Sequence, residues 1–81
     1  MKAKYIVVDS WPTPIPFIFP DCCDHAQIAN SFFGSSILGA GFVSIQDSKY
    51  QCFGQSISLG IKSRFEKDSS ILNRLLGVDD E

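Results

Sequence analysis

Apolar residues along this chain fall into four short runs and two spaced sets. The first run, residues 4–9, holds Tyr5, Ile6, Val7 and Val8 with no polar break until Asp9. Adjacent β-branched residues suit a strand, and apolar side chains on both faces suit one inside a sheet. Residues 10–14 read as a turn, because Pro12 and Pro14 fix φ and remove two donors. Ile15–Phe19 is a second strand, and Pro16 assigns it to a sheet edge. A third strand spans Ile37–Gln46, and residues 47–49 form the turn to a fourth over residues 50–61. On that fourth strand Phe53, Ile57, Leu59 and Ile61 share one face, with Ser56, Ser58 and Gly60 on the other. Placing Val43 and Ile45 on the face of Phe53 requires an odd-length loop or a bulge, with Gly54 as the bulge site.

The spaced sets predict helices. Cys22, Ala26, Ala29 and Phe33 repeat at helical intervals, so a helix over residues 22–32 is expected, capped by Asp21 and stopped by Gly34. Ser63 and Glu66 fit a capping box for a second helix, whose apolar side carries Phe65, Ile71, Leu72, Leu75 and Leu76 and which ends at Gly77. The order ββαββα predicts an α+β fold: a two-layer sandwich of a four-stranded sheet with both helices on one face. Eighty-one residues suffice for one domain, spanning 1–81, with residues 78–81 as a frayed acidic tail.

Composition narrows the classes of function. Seven basic against nine acidic residues leave a formal net charge of −2, which lacks the basic stripe that nucleic acid requires. The apolar run 5–8 is too short for a signal peptide and nothing reaches membrane-spanning length, so a cytoplasmic setting without membrane attachment is expected. Three cysteines do not make a secreted disulfide scaffold.

Those cysteines, Cys22, Cys23 and Cys52, with His25, form the evident metal or thiol constellation. Zinc accepts both ligand types, but structural zinc sites carry two ligand pairs and here there is one. Cysteine is also a common small core residue. The expectation is therefore packing, with no metal, no cofactor and no catalytic residue. The glycine pairs at 39/41 and 54/60 lack the strand–turn–helix context of a phosphate loop. Binding candidates are Ser56, Ser58 and Lys62, on a polar sheet face, and Trp11, beside prolines in the first turn.

Several short pieces, residues 4–9, 17–20, 25–26, 40–43, 54–60 and 63–64, together resemble small uncharacterised proteins encoded by bacteriophages and prophages. The resemblance brings no catalytic residues. It implies an accessory protein inside a bacterial host, acting by protein–protein contact on a host protein or complex, as an inhibitor of a host defence complex would. Two alternatives stay open. One is a small-ligand or nucleotide binder, as a homodimer, using the Gly/Ser sheet face. The other is a small metal or thiol enzyme built on Cys22, His25 and Cys52.

Overall fold

The computed structural model describes residues 2–31 and 36–76. It is α+β, with a four-stranded antiparallel sheet and two helices. The main sheet comprises β1 (Lys2–Val8), β2 (Ile15–Phe19), β3 (Ile37–Gln46) and β4 (Lys49–Phe53), in the order β2-β1-β3-β4. β1 is central and β2 is at the edge, as the unbroken apolar run and Pro16 require. The Trp11–Pro12 peptide bond in the β1–β2 connection is cis.

The fourth strand stops sooner than expected. Gly54 takes φ +77° and turns the chain out of β4 into a small hairpin of β5 (Gln55–Ser56) and β6 (Ile61–Lys62). Residues 57–60 form its turn, with Gly60 at φ +68°. Alternation therefore fails where the polar face was expected: Ser56 is buried and Ile57 is 87% exposed. The β3–β4 turn needs no extra residue. Asp47 and Ser48 both adopt positive φ, the two-residue turn that matches strand twist. Val43 thus pairs with Cys52, and Phe53 joins Phe42 on the other face.

Both faces of the sheet are covered, which corrects the expectation of two helices on one side. Ala3, Tyr5 and Val7 of β1 pack with Val43, Cys52, Ile71 and Leu72. Ile6 and Val8 point the opposite way, into a second cluster with Phe19, Ala40, Cys23, Ile28, Leu59 and Ile61. Helix α2 (Phe65–Leu75) lies on the first face. Helix α1 (His25–Ala29) and the β5–β6 hairpin lie on the second.

The helix boundaries follow from their caps. Asp24, not Asp21, caps α1, in a capping box with Gln27. Phe32, Phe33 and the proposed stop at Gly34 lie outside the described residues. In α2 the expected Ser63–Glu66 box is absent. Asp68 instead reaches back to accept the Arg64 backbone N–H at 2.9 Å, while Ser63 pairs with Tyr5. The expected stop at Gly77 and the acidic tail 78–81 also lie outside the described residues.

Helix α2 also seals the β4 edge. Asn73 accepts the Tyr50 backbone N–H at 2.8 Å and donates to the Tyr50 carbonyl at 3.0 Å, as an added strand would. Ser69 accepts the Cys52 backbone N–H at 2.9 Å. To make these bonds the helix turns Ile71 and Leu72 inward and leaves Phe65, Leu75 and Leu76 at 59%, 42% and 40% exposure. Leu72→Ala is therefore expected to cost about 2–5 kcal/mol in urea unfolding, and Leu75→Ala under about 1 kcal/mol. Similar losses at the two positions would place the core face of α2 elsewhere.

Candidate functional site

The four residues proposed for binding do not share a surface. Ser56 is 1% exposed, accepts the Leu59 backbone N–H at 3.2 Å and serves the hairpin turn. Ser58 is exposed but donates to Asp24 Oδ1 at 2.9 Å, tying the hairpin to the start of α1. Lys62 is exposed on β6. Trp11 stands 90% exposed in the β1–β2 connection. The open polar sheet face to which the serines and Lys62 were assigned does not exist, because that stretch is a hairpin folded against the sheet.

The Cys/His constellation is divided by the sheet itself. Cys52 is fully buried among Tyr5, Val43 and Leu72 on the α2 face. His25 is buried on the other face, edge-on to Phe19 and Phe42 with ring centroids 5.6 and 6.0 Å away. Its Nε2 lies 2.8 Å from the Gly41 carbonyl, a geometry that puts the ring proton on Nε2 and makes His25 a hydrogen-bonded core residue. Cys22 is exposed and Cys23 half-buried in the turn before α1. Among the described residues, no three His, Cys, Asp or Glu side chains group closely enough to hold a metal ion. Burial pushes the Cys23 thiol above its usual range, and it raises Cys52 to about 11 against a local lowering by Ser69. Both shifts reduce thiolate at neutral pH and so reduce nucleophilicity.

Among the described residues, one shallow groove lies along the β4–α2 seam by Tyr50, Ser69 and Asn73, and two others lie elsewhere. The first of these two lies on the α1 face among Lys4, Asp24, His25, Phe42, Ile57 and Ser58. Most of its polar groups are already engaged: Lys4 Nζ donates to the Cys23 carbonyl at 2.8 Å, Ser58 to Asp24, and His25 to Gly41. This groove is the seam where α1 and the hairpin are fastened to the sheet.

The second groove lies between the β1–β2 connection and α2. Pro14 supplies one wall, Ile71 the floor, and Arg64, Glu66, Lys67, Ser70 and Arg74 the rest. Arg64 is fixed from behind by Asp68, which is fully buried: Nε donates to Oδ1 at 2.9 Å and Nη2 lies 2.8 Å from the same oxygen. Tyr5, also fully buried, donates to Asp68 Oδ2 at 2.5 Å, and burial followed by this bond raises its phenol well above the ordinary value. The α2 face of Lys67, Ser70 and Arg74 has a helical spacing visible in the sequence. Its meeting with Pro14 is a long-range contact that no local pattern announces.

No family model, curated protein or solved structure matches this chain.

The raised Cys52 thiol has a consequence for stability. Between pH 9 and 11 the folded chain keeps a proton on Cys52 that the unfolded chain releases, so stability falls as pH rises through that window. The two-unit gap corresponds to roughly 2–3 kcal/mol by pH 11. Urea unfolding at pH 8 and pH 10.5 is expected to show most of this loss, and Cys52→Ala is expected to reduce it, leaving the part that the raised Tyr5 phenol contributes above pH 10. An unchanged slope in the variant would mean that Cys52 is not protonated by burial.

Proposed function

We propose that the protein is a non-catalytic contact protein, binding a host protein or complex in the bacterial setting that its resemblance to phage-encoded proteins implies. Inhibition of a host defence complex is the form of action this reading favours. The observation that carries it is Trp11, an aromatic side chain 90% exposed on a proline-bearing connection. Burying an aromatic side chain contributes about 1.5–3 kcal/mol, which this fold forgoes by leaving Trp11 in water. Tryptophan is among the residue types enriched at the positions that carry most of the binding energy in protein interfaces. Pro14, on the same connection, walls the groove against α2 and gives such an interface a floor.

The ligand-binding alternative finds less support. Its Gly/Ser surface is a hairpin with Ser56 buried, and Lys4, Ser58 and His25 of the adjoining groove are already hydrogen-bonded within the fold. The thiol-enzyme alternative needs Cys22, His25 and Cys52 together, whereas Cys52 and His25 pack on opposite faces of the sheet.

Trp11→Ala tests the reading. Its unfolding free energy is expected to change by no more than about 0.5 kcal/mol, as at other exposed positions. In a pull-down from host lysate the wild-type chain should retain a stoichiometric protein, with binding at least about 30-fold weaker for the variant, the loss of a 2 kcal/mol anchor. A partner bound equally by both chains would put the contact surface elsewhere.

A further inference from the structure

The groove between Pro14 and α2 has a charge opposite to that of the chain as a whole. The full sequence carries a net charge of −2. Among the groove's lining groups, Arg64, Lys67 and Arg74 stand against Glu66 alone, which is three positive charges to one negative. Counting the buried Asp68 that pairs with Arg64 still leaves an excess of one positive charge. Its apolar lining is Ile71 and Pro14.

Helix electrostatics explain part of this arrangement and leave one residue over. Arg74 lies in the last turn of α2 and Glu66 in the first, where the helix dipole favours each. Lys67 also lies in the first turn, at a position the dipole disfavours for a cation. It occupies the same helical face as Ser70 and Arg74, and all three line the groove. Arg64 is preorganised: Asp68 holds Nε and Nη2, and 30% of the side chain remains exposed. A guanidinium already held in place loses little further freedom when a partner arrives.

From this combination we infer that the groove receives an acidic peptide segment of the partner. Carboxylates of that segment lie against Lys67, Arg74 and the exposed part of Arg64, and an apolar side chain rests on Ile71 and Pro14. The inference rests on the contact reading above and specifies its partner chemistry. Charge complementarity of this kind sets specificity and speeds encounter. A nucleic-acid strand fits less well. Glu66 interrupts the cations, and three positive groups do not make the extended basic track that strand binding uses.

Trp11 is the single tryptophan of the chain and stands three residues before Pro14, so its fluorescence reports on the connection that borders the groove. The probes are three synthetic peptides with the same spaced Leu and Phe residues, interleaved with Asp/Glu, with Ser or with Lys, and a single-stranded oligothymidylate. Each is titrated into the full chain at low salt. The acidic peptide is expected to blue-shift Trp11 emission saturably and to bind at least about tenfold tighter than the Ser and Lys peptides. A Lys67→Glu/Arg74→Glu variant, shown by circular dichroism to melt as the wild type does, is expected to lose at least about tenfold in affinity for the acidic peptide. If the Ser or Lys peptide binds as well as or better than the acidic one, the acidic-partner inference is overturned and the contact reading stands. Equal binding of the acidic peptide by wild type and variant overturns the inference in the same way. Binding of the oligothymidylate in preference to all peptides overturns it in favour of nucleic acid. No response to any probe overturns the inference, while the lysate pull-down with Trp11→Ala judges the contact reading separately.

Discussion

The carboxylate of Asp68 holds this fold together. It is fully buried, and it gathers the Tyr5 hydroxyl from the central strand together with the backbone N–H and guanidinium of Arg64. A buried charge without partners costs several kcal/mol, so these donors are what make its position tolerable. Space is part of the arrangement. Gly39 of β3 lies directly beneath the carboxylate, and a side chain there would overlap it. Through this one group the first strand and the entry to α2 are joined, and the carboxylate packs against the start of β3. The angle at which α2 meets the sheet then brings Ser69 and Asn73 to the edge of β4.

That placement determines which surfaces are left for function. One sheet face is covered by α2 and the other by α1 and the β5–β6 hairpin. The β4 edge is closed by Asn73 and Ser69, and Pro16 removes a donor from the β2 edge. Both devices limit strand-to-strand association of the main sheet. The surfaces still open are connections and the outer side of α2. The groove between Pro14 and α2 combines the two, and Asp68 fixes Arg64 within that groove while also anchoring the helix. Fold and candidate interface thus share one buried group.

Much of the sheet was legible in the sequence, because its signals are local. The unbroken run from Tyr5 to Val8 marked a central strand, Pro16 marked an edge, and Leu72 marked the core side of α2. The misreadings have physical causes. A positive φ at Ser48 let a two-residue turn form without glycine and shifted the parity of β4 by one position. Gly54 was read as a bulge but turns the chain away from β4, which put Ser56 inside and Ile57 outside. Asp24 outcompeted Asp21 because Gln27 completes its capping box. Leu75 looked like core until Asn73 claimed the sheet edge and rotated the helix face. The candidate site was half legible. Trp11 stood out by type and context, whereas Arg64, Lys67 and Arg74 meet Pro14 only through tertiary packing that depends on Asp68.

The most direct test of this account is a double-mutant cycle between Tyr5→Phe and Asp68→Asn, measured by urea unfolding at pH 7. Each change is close to isosteric and removes one side of the buried bond. If the carboxylate organises the fold, each single variant loses stability and the two losses fail to add, with a coupling of about 1–3 kcal/mol. Losses that add to within about 0.5 kcal/mol would contradict the account, because Tyr5 and Asp68 would then act independently.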